Sequence, residues 1–90
     1  MTTIPVKRPI AAADIKPLLT HARAEGRNCG RRLRGRATAP FELPMSALNA
    51  GLAWSDRHGI EIDGAAASRY VAAFVGAAER AIVPGEVDHG

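Results

Sequence analysis

The sequence predicts a mostly α protein: a compact three-helix domain with an extended N-terminal arm and an Arg-rich loop. Three observations lead there. The chain has 90 residues, room for one small domain spanning 1–90, and a chain of that size buries only about two-thirds of its unfolded surface. Its apolar residues are mostly small. Alanine is abundant and the aromatics are Phe41, Trp54, Tyr70 and Phe74, a composition that favours closely approaching helices over a bulky sandwich core. Apolar positions also recur at helical spacing in three separate stretches. A hydrophobic content of 47% argues against global disorder.

Residues 1–13 read as an extended arm. Pro5 and Pro9 limit it to an edge strand at most, because proline cannot donate to a ladder. Asp14 suits a helix N-cap, and Pro17 is tolerated within a first turn. Ile15, Leu18, Leu19 and Ala22 then follow the i, i+3, i+4, i+7 spacing of one face, and Gly26 is taken as the stop. The first helix is expected over about 14–25.

Residues 26–40 hold Gly26, Gly30, Gly35 and Pro40, with little apolar content beyond Leu33. No period fits them. They read as a basic loop, or as a segment that orders on meeting a partner.

Pro44 opens a second helix where a missing N–H costs nothing, and Gly59 is a natural residue to end it after His58. Met45, Leu48 and Leu52 share a stripe expected to face the core. Trp54 lies off that stripe, which makes it a candidate interface anchor. Ile60 and Ile62 alternate with Glu61 and Asp63, a short extended link or a two-residue bridge to the N-terminal arm. Asp63 caps a third helix over about 64–83, with Ala67, Tyr70, Phe74, Ala77, Ala78 and Ala81 on its inner face. Pro84 and Gly85 stop it, and residues 84–90 form a frayed tail. Its long apolar face makes the third helix the expected centre of the core.

Charge supplies the functional signal. The formal net charge is +3, but it is unevenly spread. Residues 1–38 hold nine basic and two acidic side chains, a balance of +7, while residues 39–90 hold three basic and seven acidic, a balance of −4. Arg23, Arg27, Arg31, Arg32, Arg34 and Arg36 fall within 14 residues. Arginine outnumbers lysine ten to two, but abundant alanine and glycine point to a GC-rich coding sequence that inflates all three, so the clustering carries the argument. Guanidinium groups suit phosphate and carboxylate alike, and glycines between them would let the backbone follow a phosphate surface. The partner is therefore nucleic acid or an acidic protein surface.

Other chemistry finds little support. The segment from Gly26 to Arg31 lacks the GxxxxGK[ST] spacing of a phosphate loop. A helix-turn-helix would need a shorter turn and a more polar second helix than residues 64–83 offer. Cys29, the single cysteine, has no oriented base beside it and reads as an exposed, inert thiol. It excludes an intrachain disulfide framework and suits a reducing compartment. Asp56, His58, Glu61 and Asp63 form the densest polar cluster, yet helix-end and capping roles account for them better than a metal does. No cofactor is implied. The N-terminal residues lack a signal-peptide core, and the longest apolar run, residues 70–78, is far short of the ~20 residues of a membrane span.

The expectation is a small cytoplasmic, non-enzymatic binding or regulatory protein of bacterial or phage type, contacting nucleic-acid phosphates through Arg23, Arg27, Arg31, Arg32, Arg34 and Arg36. Two alternatives stand beside it. One is a protein–protein inhibitor or adaptor of the sort mobile elements encode, seating Trp54 and the arginines on a larger target. The other is an accessory subunit of a larger enzyme. A homodimer is expected if Trp54 and the small-residue rows of the third helix, Ala73 and Ala77, are exposed.

Overall fold

Strand β1 (Arg8–Pro9) leads directly into helix α1 (Ala12–Leu33) and, after helix α2 (Glu42–His58), strand β2 (Ile60–Glu61) leads into helix α3 (Gly64–Ile82). This is the order in the computed structural model, which describes residues 6–35 and 41–82. The two short strands pair in parallel, Arg8 opposite Ile60 and Pro9 opposite Glu61. The helix that follows each strand therefore sets out in the same direction. α1 and α3 run side by side and parallel: His21 meets Tyr70, Gly26 meets Phe74, Gly30 meets Ala78 and Arg34 meets Ala81. α2 returns along them, bringing Asp56 back to Lys7 at the start of the fold.

The expected class stands: a mostly helical protein of three helices. Residues 1–5 of the expected arm lie outside the described residues, and Lys7 beyond them is held by α2. Lys7 Nζ donates to Ser55 Oγ at 3.0 Å and to an Asp56 carboxylate oxygen at 2.6 Å, while the buried Ser55 hydroxyl donates to the Ile60 carbonyl. Every polar atom of Ser55 is thus matched, as burial requires. The two-residue bridge to the arm and the Gly59 stop (φ 64°) are both present. The Asp63 carboxylate accepts from the Ala66 N–H at 2.8 Å and caps α3 as expected.

α1 departs from the sequence expectation at both ends. It begins at Ala12, so Asp14 sits inside the first turn and reaches back to accept from the Ala11 N–H at 2.8 Å. The same carboxylate receives both Arg8 guanidinium nitrogens, at 2.8 and 2.9 Å. Pro17 falls in the second turn, with its side chain exposed.

At the other end the helix continues through Gly26 and Gly30 to Leu33, so the expected loop over 26–40 is helical for half its length. The reason is packing. A Cβ on Gly26 would stand 2.3 Å from the Phe74 carbonyl oxygen, and one on Gly30 would stand 2.4 Å from that of Ala78. Ala22, Gly26 and Gly30, four residues apart, form a smooth track on which the alanines of α3 lie. Cys29 is buried beside this track, which corrects its assignment as an exposed thiol. Residues 36–40 and 84–90, including Arg36, lie outside the described residues.

α2 is turned over relative to expectation. Leu43, Ala47, Gly51, Trp54 and Ser55 are buried, whereas Met45, Leu48 and Leu52 are 53%, 46% and 61% exposed. Tyr70 decides this. A Cβ on Gly51 would lie 3.4 Å from its ring, so α2 must present its small residues there, and the bulkier stripe cannot approach as closely. Trp54, 4% exposed and with its ring centroid 4.6 Å from that of His58, is a buried core residue and not the partly exposed position expected of it. Ala77 is buried too and Ala73 half-buried, so the condition set for a homodimer is not met on those residues.

α3 is the core element that the sequence indicates. Ala66, Tyr70, Phe74, Ala77 and Ala78 are buried, and its contact with α1 is the most extensive in the fold. Phe74→Ala is expected to cost about 3–5 kcal/mol in chemical denaturation; a loss below ~1 kcal/mol would contradict its central place. Gly30→Ala gives a sharper check. Alanine is worth ~1 kcal/mol in helix propensity, but a backbone carbonyl cannot yield, so a net loss of about 1–3 kcal/mol is expected. Gly64→Ala, where a Cβ meets nothing within 4 Å, should by contrast be neutral or mildly stabilising.

Candidate functional site

Continuing α1 through residue 33 moves the arginines from a loop onto a helix. Arg23, Arg27 and Arg31 stand four residues apart and Arg34 follows in the same sector, so these four share an arc of about 80°. Arg32 is turned ~100° from Arg31 and projects from the opposite flank. All five are exposed. The structure thus gathers four of the six expected contacts on one side, separates Arg32, and does not describe Arg36.

It also adds one. Arg27, Arg31 and Arg34 line a groove of about 450 Å³ together with Arg80 of α3, over a floor made by Ala77 and Ala81. Arg80 is 46 residues from Arg34 in sequence, and only the parallel arrangement of α1 and α3 brings them together. Its place in the last turn of α3 is visible in sequence, but its neighbours are not.

These arginines differ in what they are free to do. Arg34 is committed: its Nε and Nη2 donate to the Ala81 carbonyl at 3.1 and 2.9 Å. That satisfies one of the orphan carbonyls at the end of α3 and staples the two helix ends. Arg31 makes one long contact, Nη1 to Asn28 Oδ1 at 3.3 Å. The ion pairs formed among the described residues, Lys7–Asp56 and Arg8–Asp14, involve none of the groove arginines.

A purely structural role for the cluster can be weighed by its charge. Two parallel helices place both C-termini at one end, each worth about −0.5 charge. Arg31, Arg32, Arg34 and Arg80 at that end, with Arg27 one turn back, far exceed this demand. Even allowing for exposed Glu79, a surplus of about three positive charges remains among the described residues. Satisfying the helix ends does not account for the groove.

The acidic cluster has a different fate. Asp56 pairs with Lys7, His58 lies against Trp54, Asp63 caps α3 and Glu61 is in β2. Among the described residues no group of three metal-ligating side chains converges, and no helix is long and apolar enough to cross a membrane. Comparison with protein-family models, with curated proteins and with solved structures finds no match to this chain.

One titrating pair sits in the core. His21 Nδ1 and the Tyr70 hydroxyl are 2.9 Å apart. Burial holds the His21 pKa below its ordinary 6.5, and burial pushes that of Tyr70 up to about 12. Both shifts favour neutral groups, so we assign the phenol as donor to an unprotonated Nδ1. At the surface, the Arg8 hydrogen bonds and the Ala11 N–H lower the Asp14 carboxyl to about 2.

The signs give a stability profile. An unfolded His21 binds its proton first as pH falls below 6.5, so stability declines from there downward. Asp14 stabilises above its ordinary 3.8 and loses this as pH falls toward 2. Tyr70 stabilises below pH 10 and loses this as pH rises toward 12. Melting temperatures across this range should trace a dome. His21→Gln should flatten the decline just below neutrality, and Tyr70→Phe should remove the alkaline limb; unchanged limbs in both variants would contradict the assignment.

Proposed function

We propose that this protein is a small non-catalytic nucleic-acid-binding protein of the cytoplasm that grips the phosphate backbone with the arginine groove of α1 and α3. The observation that carries this is the convergence of Arg27, Arg31, Arg34 and Arg80 on one groove, apart from the ion pairs Lys7–Asp56 and Arg8–Asp14. Guanidinium groups that displace condensed counterions supply most sequence-independent affinity for nucleic acid. The alanine floor lets a phosphate strand approach without steric obstruction.

The surroundings favour a duplex over a single strand. Single-strand binders stack bases on exposed aromatic rings. Here Trp54, Tyr70 and Phe74 are buried, and the exposed Phe41 is not among the residues that line the groove. Arg27 and Arg31 are the principal contacts, Arg80 completes the opposite wall and Arg23 extends the row by one turn. Arg34 holds the two helices in register and contributes its remaining donors. Arg32, on the other flank, lies outside the grip.

Fluorescence anisotropy with labelled duplex DNA, single-stranded DNA and RNA tests this. About four phosphate contacts predict an affinity for duplex that falls roughly 10²-fold between ~50 and ~200 mM salt. Arg27→Ala/Arg31→Ala/Arg80→Ala should abolish most binding and lower the salt slope by about 2–3, whereas Arg32→Ala should leave both nearly unchanged. Absence of binding to all three probes would refute the proposal and transfer the groove to an acidic protein surface. Equal losses in Arg32→Ala and the triple variant would indicate diffuse charge rather than a grip.

A further inference from the structure

Phe41, Met45, Leu48 and Leu52 follow one another at intervals of 4, 3 and 4 residues along α2 and are 68%, 53%, 46% and 61% exposed. They form an apolar stripe about 16 Å long. Charged neighbours stand only at its two ends, Glu42 beside Phe41 and Lys7 and Glu61 at the groove beyond Leu52. From Leu43 to Ser55 α2 carries no ionisable side chain over thirteen residues, although a surface helix ordinarily turns charged residues to water. Beside the far end of the stripe lies a largely apolar groove of about 200 Å³ between α2 and α3, lined by Leu48, Leu52, Ile62 and Val71 among others. It shares no residue with the arginine groove.

We propose that this face is the interface of a two-fold homodimer in which the α2 helices of two copies pack antiparallel. Three features select a second copy as the occupant. A closed two-fold interface must be self-complementary, and the 4-3-4 spacing reads the same in both directions. A two-fold axis between Met45 and Leu48 sets Met45 of each copy against Leu48 of the other, and Phe41 of each against Leu52 of the other. The spacing is also that of a coiled-coil seam.

The ends of the stripe are complementary in shape. Phe41 projects at one end, and the groove opens at Leu48 and Leu52 at the other, so the antiparallel arrangement delivers each phenyl ring to the groove of the opposite copy. Cavities of ~150 Å³ hold a benzene ring, so the space suffices.

Charge completes the case. Two copies of a chain carrying +3 meet through a stretch without charge, so repulsion at the seam is avoided, and opposed helix dipoles favour the antiparallel sense. The four half-exposed side chains offer on the order of 400 Å² a side, the size of patch that is often functional. This inference is independent of the nucleic-acid proposal.

Sedimentation equilibrium of the protein from ~1 to ~200 µM tests it, with circular dichroism to verify the fold of each variant. The wild type should be dimeric at the upper concentrations. Met45→Lys and Leu48→Glu, both at exposed positions, should each be folded and monomeric. Mixed, they should form a heterodimer, because the two-fold sets Lys at 45 of one chain against Glu at 48 of the other. Phe41→Ala should weaken the dimer at least tenfold. A wild type that stays monomeric overturns the proposal and leaves the face to a different partner. A dimer indifferent to Met45→Lys and Leu48→Glu, or single variants that are not rescued by mixing, overturns the antiparallel α2 interface.

Discussion

The close contact between α1 and α3 is the constraint on which the other features of this protein depend. With Phe74 and Ala78 carbonyl oxygens only 2.3 and 2.4 Å from where Cβ atoms would stand on Gly26 and Gly30, the two backbones touch and leave no room for side chains between them. Glycine inside a helix costs about 1 kcal/mol relative to alanine, and two are used within five residues. What offsets this is the packing gained when Ala22, Gly26 and Gly30 meet the alanines of α3 over several turns. The parallel sense of that contact follows from the two-residue bridge between β1 and β2, since each strand turns directly into one of the helices. A very small sheet thereby sets the direction of the largest interface in the fold.

Parallel helices have an electrostatic consequence that antiparallel ones avoid. Their dipoles add, and both sets of unpaired carbonyls emerge at the same end. Arg34 answers one of those carbonyls directly through two hydrogen bonds to Ala81, and Arg31, Arg32 and Arg80 stand in the last turns where cations are favoured. The same residues that relieve the helix ends produce the positive groove. The charge is therefore layered: the first arginines neutralise the helix ends, and the remainder face solvent as a surplus among the described residues.

The limits of the sequence are instructive in this light. α3, its Asp63 cap, the Gly59 stop and the bridge at Ile60–Glu61 were all legible, because local chemistry decides each of them. The arginine cluster was legible as a cluster. Its geometry was not, since Gly26 and Gly30 look like punctuation to any local rule, whereas they are contact residues chosen for a helix 40 to 50 positions away. Arg80 was hidden for the same reason. α2 misled differently: it has two apolar faces, and the larger side chains of Met45, Leu48 and Leu52 drew the assignment away from the small face that Tyr70 admits.

That reversal bears on how the protein must be completed. A buried leucine, methionine or phenylalanine is worth about 1.5–3 kcal/mol over an exposed one, and a 90-residue chain has little stability in reserve. Four such side chains left in water would be a substantial forfeit for a domain this small, and scattered surface placement would be unremarkable. These four are not scattered. They are aligned on a helix stripped of charge, next to an apolar groove, on a face that shares nothing with the arginines. The fold thus divides its surface by chemistry: α1 and α3 close tightly and turn their charge outward, while α2 packs through Ala47, Gly51 and Trp54 and leaves Met45, Leu48 and Leu52 exposed. If the α2 face is covered by a second copy, the arginine grooves remain open on both protomers. Each dimer would then present two arginine-lined grooves fixed at one spacing by the fold.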